Sequence, residues 1–374
     1  MASLADAPTP SLILDRGKLA ANCRRMIDRC SGLGVGLRPH MKTLKSIDAA
    51  RLAIDPAHGG IAVSTLREAG YFASHGIEDI QYAVCITPDK LLQAKAITDR
   101  IPNFSFFIDS VEVAQAILAL PAADWCNVWI EIDSGEHRTG LTPDDPRLIE
   151  VAGLLRSAGA TLAGVATHGG HSYGARSAEA IAAIAGQERS AVIEAAGRLR
   201  ADGFEVPGVS AGSTPTATHM HSGEGLTEIR AGVYMAGDLF QSGIGSLVES
   251  EIAVSVLASV IGRNEARGSM VIDAGGLALS KDRSTAALPF DLGFGVLLDE
   301  EGGPTLGRLV VGGVHQEHGE IGDVPAPVFA RLPIGARVRV LTNHVCMTAA
   351  PYDHYLVVDG DGEIVDRWDK ITGW

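Results

Sequence analysis

Short apolar runs alternate with amphipathic segments along the first two thirds of this 374-residue chain. The apolar runs are typical of buried strands, and they lie at 60–64, 80–84, 104–108, 128–132, 162–167 and 206–210. The segments between them, such as 111–118 and 177–201, carry apolar residues at helical spacing. Strands and helices that alternate in this way predict a parallel sheet, and about eight such units by residue 245 would close a (β/α)8 barrel.

The pattern changes near residue 251, where strand-like runs separated by turns replace the alternation. These runs lie at 254–261, 269–273, 308–311, 337–342, 355–358 and 363–368, and the sequence between them shows no long amphipathic helix. The change predicts a second domain built on an antiparallel β-sheet. We therefore predict a barrel at residues 21–250 and a β domain at residues 251–374.

Charge and composition exclude several classes of partner. The net charge of −14 argues against non-specific nucleic-acid binding, because an acidic surface repels the phosphate backbone. No apolar run reaches the ~20 residues of a membrane-spanning helix, and the first residues lack the features of a signal peptide. The five scattered cysteines favour reduced thiols over a disulfide framework. We therefore expect a cytoplasmic protein that binds neither nucleic acid nor membrane.

A lysine follows the first strand of the barrel pattern. Residues 37–45 read Leu-Arg-Pro-His-Met-Lys-Thr-Leu-Lys, after an apolar run at 32–37 and before a helical pattern at 46–54. Pro39 disfavours helix at the residue before it, so Lys42 should lie just past a strand end, where barrel enzymes place their chemistry. A lysine that is removed from water there can act as a nucleophile and as a base. The alternative is a solvated lysine in a basic turn.

A histidine and a cysteine, separated by one residue, follow the apolar run at 338–341. If the strand continues through them, His344 and Cys346 point to the same face and can approach one metal ion. Imidazole and thiolate together suit zinc, and two protein ligands would leave positions for water or substrate. The alternative is a core cysteine beside a histidine with a capping role.

Polar loops that contain glycine follow several predicted barrel strands, at 131–140, 167–174, 210–216 and 228–234. The barrel interpretation places these loops together at the carboxyl ends of the strands. The hydroxyl-rich turn at 210–216 can hold a phosphate together with the loop one unit later, although a plain β-turn is the alternative. A further polar loop, 312–320, is either functional or the tip of a solvated hairpin.

The order and spacing of seven motifs resemble the D-serine dehydratase and D-threonine aldolase family. They are Pro-Ser-Leu-Ile-Leu-Asp (10–15), Arg-Pro-His-Met-Lys-Thr (38–43), Gly-Ser-Thr-Pro-Thr (212–216), Arg-Ala-Gly-Val-Tyr (230–234), Val-Ile-Asp-Ala-Gly (271–275), Gln-Glu-His-Gly (316–319) and Asn-His-Val-Cys-Met-Thr (343–348). Members of that family are pyridoxal-phosphate (PLP) lyases of the alanine racemase fold. The resemblance implies a (β/α)8 barrel followed by a β domain to which residues 1–20 add a strand. It also implies a homodimer with its active site at the interface.

The resemblance also implies roles for individual residues. Lys42 matches the lysine that forms a Schiff base with PLP. His344 and Cys346 match two ligands of a divalent metal, which would be zinc or else manganese or magnesium. The residues that match the phosphate site are Gly212, Ser213, Thr214, Gly232 and Tyr234. Arg138 lies in the position of an arginine near the pyridoxal ring, and His168 and Tyr173 lie where relatives place catalytic residues that contact the ring and the substrate.

The second metal ligand separates two activities within the family. The aldolases tend to carry aspartate there, whereas this chain has Cys346, which resembles the dehydratases. The resemblance therefore implies dehydration of a D-amino acid with a β-hydroxyl group, D-serine or D-threo-3-hydroxyaspartate, to a keto acid and ammonia. Gln316 departs from the acidic residue that is frequent in relatives and leaves the exact substrate open. The alternatives are retro-aldol cleavage of D-threonine-like substrates, an amino-acid racemase and a non-catalytic PLP carrier.

Overall fold

The computed structural model describes residues 3–360 and 362–374. The chain divides into two compact units, neither of which is continuous in sequence. The barrel unit comprises Arg24–Lys42, Ala53–Gly232 and the last two residues. The β unit comprises the residues up to Cys23 together with Thr43–Leu52 and Val233–Thr372. The later boundary therefore lies at residue 232, ahead of the change in sequence pattern near residue 251.

The described residues form strands and helices throughout both units. The strands are β1 (Ser11–Asp15), β2 (Gly36–Pro39), β3 (Ile61–Val63), β4 (Asp79–Cys85), β5 (Asn103–Ile108), β6 (Asn127–Glu131), β7 (Thr161–Ala166), β8 (Gly208–Ala211), β9 (Glu228–Ala231), β10 (Val254–Asn264), β11 (Ser269–Ile272), β12 (Val296–Leu298), β13 (Val311–Val314), β14 (Gly319–Ile321), β15 (Arg337–Leu341), β16 (His354–Asp359) and β17 (Glu363–Asp369). The α-helices are α1 (Arg16–Gly32), α2 (Ile47–Ala53), α3 (Leu66–Ser74), α4 (Leu91–Thr98), α5 (Val111–Leu118), α6 (Arg147–Ala158), α7 (Ala178–Ala201), α8 (Thr214–His219), α9 (Leu239–Gly243), α10 (Gly276–Leu279), α11 (Ala326–Arg331) and α12 (Val345–Ala349). None of the helices in this part of the chain has the length and apolar character needed to cross a membrane.

Eight parallel strands form the barrel, in the order β2-β9-β8-β7-β6-β5-β4-β3. A parallel bridge between His40 and Ala62, just past β2 and within β3, links the two edge strands. Four of the described barrel helices begin at a hydroxyl side chain that accepts a backbone N–H bond, as at Thr65 before α3. The predicted (β/α)8 barrel is confirmed, although its first strand lies at 36–39 and not at 32–37.

The barrel interior contains a buried charged cluster as well as apolar side chains. The Glu228 carboxylate accepts hydrogen bonds from Arg38 Nε at 2.7 Å and from Ser210 Oγ at 2.7 Å. His58 and Gln81 lie within hydrogen-bond distance of the same carboxylate. Burial opposes the charged form, but the Arg38 guanidinium and then His58 hold the pKa of Glu228 far below its ordinary value of 4.5. This charged interior explains why an apolar pattern placed β2 too early.

The β unit is built on a sheet in the order β13-β14-β11-β10-β1-β16-β17, and β15 joins it through β10 and β12. Strand β1 lies antiparallel to β10 and parallel to β16, and the other pairs of described strands in this sheet are antiparallel. The predicted second domain with a mostly antiparallel sheet is confirmed, and the first strand of the chain belongs to it. One cluster of its core contains Leu239, Ile252, Val296 and Leu341.

The polar loop at 312–320 is part of a hairpin formed by β13 and β14. The N–H of His315 donates to the carbonyl of His318 at 2.8 Å and closes the tip, where Gln316 is exposed. The strand begins at Val311, so the strand predicted at 308–311 is wrong in position. The structure therefore agrees with the hairpin interpretation of this loop.

Candidate active site

Lys42 lies in a turn that directly follows β2 at the carboxyl end of the barrel strands. The N–H of Met41 donates to the Ala62 carbonyl at 2.8 Å, and this bond ties the start of the turn to β3. Met41 and Thr43 are buried on either side of Lys42, whereas the Lys42 side chain is exposed. The turn is thus held by its neighbours, and in the chain by itself the Lys42 side chain is in contact with solvent.

His168 follows β7, and its ring lies near Lys42 within the barrel unit. His168 Nδ1 is 3.0 Å from the carbonyl oxygen of Gly212, so Nδ1 must carry the proton and donate it. Burial and then the positive charge of Lys42 lower the pKa of His168 to about 3, and Arg138 contributes in the same direction. His168 is therefore neutral at physiological pH, and its Nε2 is an acceptor.

Arg138 lies in the loop after β6, and Tyr173 lies in the same loop as His168, after β7. Arg138 is mostly exposed, and its guanidinium is 3.3 Å from the Glu136 carboxylate. Tyr173 lies in a 3-10 turn at Gly170–Gly174, and its ring centroid is 6.4 Å from that of His168. The structure thus brings Lys42, Arg138, His168 and Tyr173 to one side of the barrel unit.

The hydroxyl-rich turn after β8 leads into the short helix α8. Ser213 caps that helix, because its Oγ accepts a bond from the N–H of Thr216, and its own N–H donates to Thr216 Oγ1 at 2.8 Å. Ser213 Oγ is also 3.1 Å from Ser172 Oγ in the loop that contains His168. Ser213 and Thr214 are both buried. The plain β-turn predicted as the alternative is wrong, because the residues after Ser213 continue as a helix.

Two glycines let the strand-end turns approach neighbouring backbone. Gly212 has φ +126°, and a Cβ added there would lie 2.7 Å from the carbonyl oxygen of Arg230. A Cβ on Gly232 would lie 2.6 Å from the carbonyl oxygen of His40, two residues before Lys42. Both positions therefore require glycine. Tyr234 follows Gly232 in a 3-10 turn of the β unit and is buried.

Arg230 is a buried cation that the sequence analysis did not assign to the site. It lies on β9 and donates to Ser210 Oγ at 2.5 Å and to the Thr167 carbonyl at 2.7 Å. Its guanidinium also lies over the Phe107 ring, at 5.1 Å from the centroid. The signal was present in the sequence, since Glu228 and Arg230 are charged residues two apart in a predicted barrel segment and must share a face of the strand.

His344 and Cys346 lie in the β unit, but the prediction that they continue a strand is wrong. Strand β15 ends at Leu341, and Val345–Ala349 forms the short helix α12 with His344 at its N-cap. Cys346 Sγ is 3.1 Å from the hydroxyl of Thr43, the residue after Lys42 in the chain. The two side chains nevertheless interact, because Cys346 raises the pKa of the His344 imidazole.

Two carboxylates orient this pair. Asp282 Oδ2 is 2.7 Å from His344 Nδ1, and Asp238 Oδ2 accepts the N–H of Val345 between the two predicted ligands at 3.1 Å. Burial opposes the charged imidazole, but Cys346 and then the two carboxylates raise the pKa of His344 to about 10. Burial raises the pKa of Asp238 to about 6. With Nδ1 donating to Asp282, Nε2 of His344 faces away from that carboxylate and can bind a metal that displaces its proton.

Another group of side chains that could bind a metal lies at the ends of three neighbouring barrel strands. The ligand atoms of Cys85, Asp109 and Glu131 lie within 4.8 Å of one another. Cys85 donates its S–H to Glu131 Oε2 at 3.0 Å. Burial and then the charge of Glu131 raise the pKa of the Cys85 thiol well above its ordinary value. The thiol proton therefore satisfies the carboxylate, and the group is stable as it is.

Comparison with known proteins identifies the family. Residues 14–239 match the model of the alanine racemase N-terminal domain, and residues 253–358 match that of a serine dehydratase domain. The chain is 41% identical over 373 residues to D-threo-3-hydroxyaspartate dehydratase of Delftia sp., with 98% of each chain covered. It is 29% identical over 392 residues to D-serine dehydratase of Dictyostelium discoideum, with 98% of this chain and 97% of the relative covered.

Solved structures agree with the sequence comparison. The structure of the Delftia dehydratase superposes with a TM-score of 0.95 at 40% identity and covers all of both chains. A D-threo-3-hydroxyaspartate dehydratase variant with one cysteine replaced by alanine, solved in a metal-free form, superposes with a TM-score of 0.94 at 39% identity, again over all of both chains. The chain is therefore a member of the D-serine dehydratase and D-threonine aldolase family, lyases that share the alanine racemase fold.

Proposed function

We propose that this protein is a dehydratase of D-amino acids with a β-hydroxyl group, D-threo-3-hydroxyaspartate or D-serine, with PLP and a divalent metal as cofactors. The observation that carries this proposal is the similarity to the Delftia dehydratase over nearly the whole length of both chains. Dehydration would convert the first substrate to oxaloacetate and the second to pyruvate, with release of ammonia in both cases.

The chemistry of the residues in the barrel unit fits PLP. Hydroxyl and amide donors of Ser213 and Thr214 lie at the end of β8, where a phosphate can be held, and Gly212 and Gly232 allow close approach of backbone. In the proposed site these residues and Tyr234 bind the phosphate, and Lys42 Nζ binds the cofactor covalently. When bound, PLP supplies an electron sink for the charge left at the substrate Cα.

The remaining barrel residues hold or move protons. Lys42, when its amine is free, would take the proton from the substrate Cα. His168 is kept neutral by burial and by Lys42, and its Nδ1–H bond to Gly212 fixes the orientation of the ring. Arg138 places a positive charge next to these groups. Tyr173 lies beside His168, and in the proposed site both contact the cofactor ring or the substrate.

The β unit supplies the proposed metal site. His344 Nε2 and the Cys346 thiolate are the protein ligands, and Asp282 holds the imidazole in the tautomer that binds metal. A thiolate ligand favours zinc over manganese or magnesium. When bound, the metal acts as a Lewis acid that neutralises charge on the departing β-hydroxyl.

The test is a separate assay of three products from three substrates. The protein with PLP and zinc is incubated with D-threo-3-hydroxyaspartate, D-serine or D-threonine, and ammonia, keto acid and glycine are measured. Equal amounts of ammonia and keto acid from either of the first two substrates are expected. Glycine as the main product, with little ammonia, would show that the protein is an aldolase and not a dehydratase.

Metal dependence has its own measurement. Treatment with a chelator should abolish ammonia release while the visible absorbance of PLP remains, because the barrel residues proposed to hold the cofactor do not include His344 or Cys346. Added zinc should restore the activity. Full activity of both the His344→Ala and the Cys346→Ala variants would show that these residues do not hold a catalytic metal.

We also propose that the active protein is a homodimer whose partner subunit completes the site, as the family resemblance implies. Light scattering after size-exclusion chromatography should give twice the mass of the chain. A monomer with full activity would contradict this assembly.

A further inference from the structure

A buried carboxyl group lies behind the turn that we propose as the phosphate site. Glu188 projects from α7 and is fully buried. Its Oε1 accepts the N–H of Gly169, in the loop that contains His168. Its other side faces the turn after β8, where the Thr216 hydroxyl and the Gly212 amide favour the charged carboxyl. Glu188 therefore connects the His168 loop to the proposed phosphate turn.

The Glu188 side chain packs closely against the loop that contains His168. A Cβ on Gly169 would lie 2.5 Å from Glu188 Cδ, so the loop can approach the carboxyl only because residue 169 is a glycine. The other carboxyl oxygen, Oε2, is buried and has no hydrogen-bond partner of good geometry among the residues that the structure describes. A buried carboxylate with one unsatisfied oxygen is costly, whereas a neutral carboxylic acid can donate from that oxygen.

Several titratable side chains lie on the elements packed against α7. Arg230 on β9 is a cation whose field favours the charged form of Glu188. The others include His168 and His171 after β7, His219 on α8, and Arg147, Glu150 and Arg156 on α6. Burial is the largest effect and raises the pKa of Glu188 to about 7, although Thr216, Gly169 and Arg230 oppose it.

We propose that Glu188 is a positioning residue of the cofactor site that becomes protonated when the phosphate group binds, so that cofactor binding takes up a proton. This inference rests on the proposed function, because it takes residues 212–216 as the phosphate site. A bound phosphate carries a charge of about −1.5 to −2 at pH 7. Added negative charge beside Glu188 disfavours its charged form. The neutral acid then satisfies its second oxygen by donating within the turn.

Binding of the phosphate group and binding of a proton at Glu188 favour each other. Phosphate raises the proton affinity of Glu188 above that of the free protein, so above pH 7 the bound protein holds a proton that the free protein has lost. Proton uptake on binding should therefore be seen at pH 8, and the affinity for PLP should fall as the pH rises above 7. The side chain of Glu188→Gln is always neutral and has the same shape, so the variant should lack this proton uptake and this pH dependence of PLP affinity.

The experiment is calorimetric titration of the PLP-free protein with PLP at pH 8, in buffers that differ in their heat of ionisation. We expect the wild-type protein to take up more protons than Glu188→Gln, with a difference that approaches one proton. Glu194→Gln, an exposed change on the same helix, should match the wild type. Equal proton uptake by the wild type and Glu188→Gln would overturn the inference, even if the variant binds PLP more weakly. Absence of PLP binding by the wild type would contradict the proposed function, and this inference with it.

A second measurement uses the wild type and Glu194→Gln, in case Glu188→Gln does not fold. The infrared difference spectrum on PLP binding at pH 8 should show a gain of a protonated carboxyl band and a loss of carboxylate absorption in both proteins. A spectrum without the protonated carboxyl band would also overturn the inference.

Discussion

Replacement of Asp282 by asparagine should weaken metal binding at His344 and Cys346. Asp282 Oδ2 is 2.7 Å from His344 Nδ1, which is the distance of a charge-assisted hydrogen bond. Asparagine keeps an oxygen in place but removes the negative charge. Loss of such an orienting carboxylate typically costs about 10- to 100-fold in metal affinity. The Asp282 and His344 side chains are 30% and 37% exposed, and water weakens their interaction. We therefore expect the metal affinity to fall about tenfold, which is about 1.4 kcal/mol of binding free energy.

The assay is a zinc titration of the metal-free protein in competition with a chromophoric chelator, which measures affinity without the reaction. Asp291→Asn is the matched control, because that carboxylate pairs with Arg283 on the same segment and makes no contact with His344 among those that the structure describes. An equal loss of zinc affinity in both variants would show that only the net charge of the segment matters. Unchanged zinc affinity in Asp282→Asn would refute the orienting role.

Other predictions test the barrel unit. Glu228→Gln removes the buried carboxylate that pairs with Arg38, which keeps the part-exposed Asp79, and should lower the free energy of unfolding in urea by about 3 kcal/mol, whereas Asp359→Asn at an exposed ion pair should change it little. The pKa of Glu228 is depressed, so its contribution to stability is present above its ordinary value of 4.5 and should shrink as the pH falls below it. Gly232→Ala places a methyl group 2.6 Å from the His40 carbonyl oxygen and should weaken PLP binding, followed by absorbance, about tenfold or more. Lys42→Ala should be colourless with PLP, and borohydride should label Lys42 in the wild type; label on another lysine would contradict its assignment.

The barrel was predictable because each strand and helix has its own local period. Helix α5 lies at 111–118, as the spacing of apolar residues predicted. The strands are less well marked where the barrel interior is charged. Arg38 on β2 and Glu228 on β9 are bonded to each other 190 residues apart, and each breaks the apolar pattern of its own strand. From the sequence alone, a charged residue in a strand can be assigned to the barrel interior only when the residue that pairs with it is known.

The proposed metal pair was predictable in composition but not in geometry. The sequence places His344 and Cys346 two residues apart, and a strand would bring both to one face. Instead, Asn343 turns the chain: its amide group donates to the Gly293 carbonyl at 2.6 Å, and its oxygen accepts the N–H of Thr285 at 3.1 Å. These contacts span 50 and 58 residues, and no local pattern records them. The helix that follows is therefore a product of tertiary packing.

Residues that orient a ligand group are harder to detect in sequence than the ligand group itself. His344 and Cys346 stand out because they lie in a motif that resembles that of the family, Asn-His-Val-Cys-Met-Thr (343–348). Asp282 is 62 residues away from His344, and Glu188 lies on the outer helix behind a turn 24 residues further along the chain. A single aspartate or glutamate in such positions looks like a surface residue until the fold shows what it contacts. Asp282 and His344 lie in the β unit, and Glu188 and the turn that it contacts lie in the barrel unit. The fold of each unit by itself is therefore sufficient to orient the His344 ring or to bury Glu188.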